Sequence, residues 1–535
     1  MVAEPPSEPQ IPVMTEPMTD RTDTPTAATA PAALPEAGAS ETRPSETRLP
    51  ERRPGTARAR DATLLDRTVT RLGRAWREAT GTARLRLAGH LRPDLPDDDL
   101  ERLRRQIDDC LAGRGGEVAA RLRAAELGRA YLTLSATGRE RFFRLLAAEY
   151  GPAPGALEEA VAAWQAAADE LERHRSERRM RQALSSPRIV LLRQFNILDQ
   201  GVKFLVDMRA DLLALRDSLP EADAAVFQPV DDDIREILVG WFDVGFLDLT
   251  RITWQAPAAL LEKLIAYEAV HRIESWDDLK SRLDSDRRCY AFFHPRMPDE
   301  PLIFVEIALV DGIAGDVQEL LEREAPPLDP READTAIFYS ISNCQKGLRG
   351  VSFGNFLIKR VVEELRRDLP NLKTFSTLSP IPDFRRWLDR ELAEKGDELL
   401  LETERRALAP FASGQVETAP AAVLAGLLQR PDWPEDGAAR EVLEPVLMRL
   451  CAGYLLAARR GRRAADRVGH FHLSNGARIE RLNWLGDRSA KGLREAAGLM
   501  VNYRYKLDEI DENHEAYRTD GTVAALGSVR RLARS

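Results

Sequence analysis

Thr335-Ala336-Ile337-Phe338-Tyr339-Ser340-Ile341-Ser342 runs on, after two residues, into Gln345-Lys346-Gly347-Leu348-Arg349-Gly350-Val351-Ser352-Phe353-Gly354. The first part is rich in β-branched and aromatic residues and reads as a strand. The second is a glycine-bearing loop. An amphipathic helix follows, with Phe356, Leu357, Val361, Val362 and Leu365 on its inner face. Leu372-Lys373-Thr374-Phe375-Ser376-Thr377-Leu378 is again a strand, stopped by Ser379-Pro380-Ile381-Pro382. Strand, loop, helix, strand is a parallel crossover. Its loop has the physics of an anion site: glycines let the backbone approach closely, free amides at the helix start point at the anion, and Lys346 and Arg349 add charge. The spacing is neither the P-loop nor the dinucleotide fingerprint. From spacing alone, a plain connection whose glycines serve the turn is the readier reading, because Gly-rich loops are common.

Outward from this unit, Cys289-Tyr290-Ala291-Phe292-Phe293-His294 and Leu302 to Val310 read as two more strands, linked across Pro295, Pro298 and Pro301. Phe384 to Arg463 is helical, and Val468-Gly469-His470-Phe471-His472-Leu473 alternates as a strand would. The region 235–515 is therefore an α+β domain built on a mixed sheet, with 516–535 as a C-terminal tail.

Upstream, residues 61–234 carry helical stripes: Leu65, Val69, Leu72 and Trp76; Leu100, Leu103, Ile107 and Leu111; Leu157, Val161 and Trp164; Leu205, Met208, Leu212 and Leu215. This is an all-α helical bundle with a packing or oligomerisation role. Residues 1–60 hold many Pro, Thr, Ala and Glu and no aromatic residue, which predicts a disordered tail.

The net charge of -9 argues against nucleic-acid binding, which needs a basic face. No apolar run is long enough to cross a bilayer. Cys110, Cys289, Cys344 and Cys451 are scattered without a CxxC pair, so neither a zinc knuckle nor a disulfide framework is expected. The N-terminus lacks the features of a secretory or mitochondrial leader and the chain does not end in Ser-Lys-Leu, so a cytoplasmic location is expected.

Several strings are more specific than the loop alone. Tyr339-Ser340-Ile341-Ser342 with Gly347-Leu348-Arg349-Gly350-Val351 resembles the acyl-CoA loop of malonyl-CoA decarboxylases. So do Phe375-Ser376-Thr377-Leu378-Ser379-Pro380-Ile381-Pro382, His470-Phe471-His472-Leu473-Ser474-Asn475-Gly476-Ala477 and Asn502-Tyr503-Arg504-Tyr505, in order, within a similarity spanning about Phe204 to Leu507. The resemblance implies a catalytic domain like the GNAT acetyltransferase fold, malonyl-CoA as substrate, acetyl-CoA and CO2 as products, no cofactor or metal, and a homo-oligomer formed through the helical domain. The general acetyltransferase loop pattern, Arg/Gln-x-x-Gly-x-Gly/Ala, does not fit cleanly around Gly347 and Gly350.

Loss of CO2 from a malonyl thioester leaves an enolate whose electron sink is the thioester itself. The protein has to stabilise the oxyanion and return a proton to carbon. By resemblance, Ser376 is the catalytic serine and His472 the catalytic histidine. Lys346, Gly347, Leu348, Arg349, Gly350, Val351, Ser352 and Asn475 are the expected substrate-binding residues. On a strand, His470 and His472 would share a face, a spacing that also suits a metal or a buried structural pair. Two other functions remain open to the sequence: an acyl-CoA-dependent acyltransferase and a non-catalytic acyl-CoA sensor.

Overall fold

The computed structural model describes residues 91–113, 116–351, 357–412 and 419–534. The expected disordered tail, the stripe from Leu65 to Trp76, Ser352 and Phe356 lie outside the described residues.

Helices fill the chain from Asp97–Leu111 to Gln228–Trp241. Local chemistry starts several of them. Ser135 accepts a hydrogen bond from Gly138 N at the head of Ala136–Glu149, and Asp169 does so from Glu172 N at the head of Glu170–Leu184. Leu103 and Ile107 are buried on Asp97–Leu111, and Leu205, Met208 and Leu212 on Gly201–Ser218. The helical stripes thus face a core, and that core is continuous with the one under the sheet, so the two regions share one hydrophobic interior.

The sheet has β1 (Asp248–Ile252), β2 (Arg287–Phe293), β3 (Ile303–Val310), β4 (Thr335–Asn343), β5 (Thr374–Thr377) and β6 (Ser379–Pro380). A small ribbon, β7 (Arg459–Arg460) and β8 (Arg463–Ala464), precedes β9 (Arg478–Asn483) and β10 (Met500–Arg504). The order in the main sheet is β1-β2-β3-β4-β5-β10-β6, with β9 on β10. Among the described strands β4 and β5 pair in parallel and the other paired strands are antiparallel, which makes the sheet mixed as expected. The crossover between β4 and β5 is the helix Leu357–Asp368. It buries Leu357, Ile358, Val361, Val362 and Leu365, each contributing roughly 1.5–3 kcal/mol of gross transfer energy.

β4 and β5 part company after Phe338 and Thr377. β4 continues to Asn343 on β3, whereas the chain after Thr377 pairs with β10 through Ser379 and Pro380. A wedge therefore opens between the end of β4 and β6, beside the glycine loop.

Two expectations are corrected. Val468 to Leu473 is not a strand but part of the helix Arg467–Ser474. Asp466 starts it by accepting from Gly469 N at 2.8 Å, and Gly476, at φ +79, ends it. Residues 516–534 are not a tail. Ile510–Asp520 and Gly527–Leu532 are helices, Val529 is buried, and Ile479 and Ala525 form a parallel bridge that extends the sheet at β9. The apolar residues Val523 and Val529 give this end of the chain a core to join.

Candidate active site

The helix Arg467–Ser474 carries both histidines, and residues two apart on a helix diverge. His470 Nδ1 sits 2.9 Å from the Tyr517 hydroxyl. His472 turns the other way, into the protein, where it is 3% exposed and its ring stacks on Tyr503 at 4.6 Å between centroids. The shared-face pair, whether metal site or structural couple, is thereby excluded for these two imidazoles.

Both ring nitrogens of His472 have partners. Nδ1 is 2.7 Å from the Tyr505 hydroxyl and Nε2 is 3.1 Å from the Ser379 hydroxyl. Ser379 Oγ donates to Thr377 Oγ1 at 2.8 Å, so it meets Nε2 as an acceptor. That places the histidine's proton on Nε2 and makes Nδ1 the acceptor of the Tyr505 O–H. Thr377 Oγ1 also accepts from Tyr503 N at 3.0 Å, which fixes the far end of the chain of hydroxyls. Burial pushes the His472 imidazole down to about 3 and the Tyr505 phenol well above its usual value, so both are neutral.

The expected serine is not the one beside the histidine. Ser376 is fully buried, and its hydroxyl donates to the carbonyls of Tyr503 at 3.3 Å and Thr377 at 3.4 Å. Side chains alternate along β5, so Ser376 and Thr377 face opposite ways. The register against β10 continues through Leu378, Ser376 lying opposite Arg504 and Ser379 opposite Val501. Thr377 and Ser379 then lie on the side of His472. Ser379, Thr377 and Tyr505 are the polar residues that the structure gathers around His472; the sequence offers Tyr505 as pocket-lining or core and gives Ser379 and Thr377 no role. Ser379 stood within the quoted motif, three residues from Ser376.

Asn475 does not reach this cluster. Its side-chain amide donates to Phe471 O at 2.7 Å and closes the helix C-terminus. Ser340 and Ser342, at the splayed end of β4, donate to the Glu268 carboxylate at 2.8 to 2.9 Å. Asp466, which starts the histidine's helix, is buried, and burial pushes its carboxyl up to about 6.

The loop residues stand as follows. Lys346–Leu348 is a short 3-10 turn. Lys346 and Gly350 are exposed, Gly347, Leu348 and Val351 are buried, and Gly350 has φ +77. The Arg349 guanidinium is exposed and paired with Asp217 at 2.8 Å. Among the described residues, no cluster of three or more His, Cys, Asp or Glu is placed to hold a metal ion, and no helix is long and apolar enough to cross a membrane.

Comparison with known proteins adds the following. Residues 245–535 match the family model for the malonyl-CoA decarboxylase C-terminal domain, and residues 150–242 match that for the N-terminal domain. Mitochondrial malonyl-CoA decarboxylase of Anser anser anser is 38% identical over 411 residues, 74% of this chain and 80% of that protein. The Rattus norvegicus enzyme of the same name is 39% identical over 365 residues, 67% of this chain and 73% of that protein. The crystal structure of malonyl-CoA decarboxylase from Rhodopseudomonas palustris superimposes with a TM-score of 0.72 at 42% identity, covering 81% of this chain and 99% of that one. The Agrobacterium vitis structure gives 0.72 at 41% identity over the same shares.

Proposed function

The chain belongs to the malonyl-CoA decarboxylase family and is a carboxy-lyase acting on malonyl-CoA, and we propose that Ser379, His472 and Tyr505 are the groups that carry its reaction. The observation behind the assignment is the unbroken run of hydrogen bonds from Tyr505 through His472 and Ser379 to Thr377, at the edge of the wedge between β4 and β6.

In this reading the glycine loop holds the CoA phosphates and the thioester lies in the wedge. The substrate brings a carboxylate. Its negative charge, in a site of low dielectric, opposes the burial that keeps His472 neutral, so binding draws a proton from solvent onto the imidazole. Tyr505 then turns from donor to acceptor and takes the Nδ1–H. The bond from the α-carbon to the carboxylate breaks, CO2 departs, and the electron pair moves onto the thioester as an enolate. Ser379 passes its hydroxyl proton to the α-carbon while the Nε2–H of His472 replaces it. Acetyl-CoA results, His472 returns to neutral, and one solvent proton has been consumed. The negative charge that drew the proton in is the charge the proton finally meets.

The test is proton uptake. In weakly buffered solution with a pH indicator, mixing the protein with a malonyl-CoA analogue that cannot lose CO2 is expected to take up one proton per site. His472→Gln is expected to abolish it. Uptake that persists in the variant would remove His472 from the proton path.

We also propose a homo-oligomer formed through the helical region. The hairpin of Pro154–Gln165 and Glu170–Leu184 leaves Trp164, Leu171 and Leu184 exposed, an apolar surface suited to a second copy. Light scattering that gave the monomer mass at all concentrations would count against it.

A further inference from the structure

Arg209 lies on the helix Gly201–Ser218, well over a hundred residues before the glycine loop, yet its side chain ends there. It is 2% exposed. Its Nη1 donates to Gly347 O at 2.7 Å and to Arg349 O at 2.8 Å, and its Nε donates to Asp231 Oδ1 at 2.7 Å. The second oxygen of Asp231 takes Arg216 Nη1 at 2.7 Å. Helix and loop also meet backbone to backbone, because a Cβ on Gly347 would lie 1.8 Å from Val206 O. Only glycine permits that approach.

A trans peptide points its C=O and its N–H in opposite directions. Of the two peptides whose carbonyls Arg209 grips, the first has its N–H, on Leu348, donated to Gln345 O at 3.0 Å. The second has its N–H on Gly350, and drawing Arg349 O inward turns that N–H outward. Gly350 is exposed, and nothing lies within 4 Å of the place where its Cβ would be.

We infer that Arg209 is a positioning residue for substrate binding: from the helical region it holds the Gly347 and Arg349 carbonyls inward and so presents the Gly350 N–H to a CoA phosphate. The inference rests on the reading of this loop as the phosphate-binding loop. A rigid planar fork suits the task, since one guanidinium reaches two carbonyls and a carboxylate at fixed angles. A lysine ammonium cannot reproduce that geometry. Arg216 keeps Asp231 paired when Arg209 is removed, so the substitution does not strand a buried charge.

The experiment compares two substrates on the full chain: malonyl-CoA, and malonyl-N-acetylcysteamine, which has the same reacting thioester and no nucleotide. For Arg209→Met and Arg209→Lys, KM for malonyl-CoA is expected to rise by about tenfold or more, the loss of roughly one good contact, with kcat nearly unchanged. The kcat/KM for the truncated thioester is expected to stay at the wild-type value. Asp231→Asn, which loosens the anchor and keeps the arginine, should shift KM in the same direction by less, and stands in should the Arg209 variants fail to fold. Equal losses on both substrates would make Arg209 merely structural, and an unchanged KM would overturn the inference. A wild-type protein that used both thioesters equally well would overturn the phosphate reading itself, and the inference with it.

Discussion

The hydroxyl of Ser379 lies 3.1 Å from Nε2 of His472, whereas Ser376, three residues earlier, donates its hydroxyl to backbone carbonyls. The two serines therefore make opposite predictions. Ser379→Ala is expected to lower kcat by about 10²–10³-fold, the usual loss for one donor aimed at developing charge, with stability little altered. Ser376→Ala is expected to cost about 0.5–1.5 kcal/mol of stability and to leave turnover close to wild type. Release of CO2 and urea unfolding on both variants check this, and a dead Ser376→Ala enzyme of normal stability would reverse the assignment.

Tyr505 is expected to matter most when His472 is charged. Tyr505→Phe removes the 2.7 Å partner of Nδ1. A hydrogen bond to a charged group is worth about 1.5–3 kcal/mol, which corresponds to roughly a 10–100-fold fall in kcat. Steady-state kinetics decide it. A raised KM with unchanged kcat would assign the phenol to binding instead.

The two buried titrating groups near the site predict opposite pH trends in stability. The folded pKa of His472 is depressed to about 3, so between that value and about 6.5 the unfolded chain binds the extra proton. Its contribution is full above about 6.5 and is lost as pH falls. His472→Gln should flatten that acid limb in denaturant titrations. Asp466 has its folded pKa raised to about 6, so its contribution is present below about 3.9 and lost as pH rises through 6. Asp466→Asn keeps the helix cap and should therefore stabilise the protein at pH 7 and not at pH 3.5. No gain at pH 7 would show that the carboxylate is compensated in place.

Gly347→Ala is expected to be costly even though glycine-to-alanine changes are often mild. The new methyl would meet Val206 O at 1.8 Å, which forces helix and loop apart at about 1–3 kcal/mol or more. The paired reading is a lower urea midpoint together with a higher KM for malonyl-CoA. A variant with normal values for both would mean that the seam yields freely.

Much of the sheet could be read from the sequence because strands buried on both faces leave unbroken apolar and β-branched runs, as in Ile303–Val310 and Thr335–Asn343. The histidine segment misled for a physical reason. Val468-Gly469-His470-Phe471-His472-Leu473 alternates as a strand does, while the deciding signals, Asp466 as N-cap and Gly476 after the last turn, flank it and outweigh the period. Alternation along the strand sets Ser376 and Ser379 on opposite faces. Which of those faces meets His472 depends on β10 and on the helix Arg467–Ser474, far along the chain, and no local pattern encodes that. The grip of Arg209 on the loop is equally non-local: an arginine inside an apolar helical stripe is visible in sequence, but its partners are not.

β10 has a consequence for synthesis on the ribosome. Ser379 is translated well before its partners, yet β6, on which it sits, has Met500 and Val501 as ladder partners, and His472 and Tyr505 come later still than the long helical stretch that follows β6. Domains emerging from the ribosome fold from the N-terminus onward. The sheet shares one hydrophobic interior with the helical region and β10 lies between β5 and β6, so a nascent chain closes the core around Ser379 only once β10 has emerged, and the cluster of Ser379, His472 and Tyr505 is assembled last.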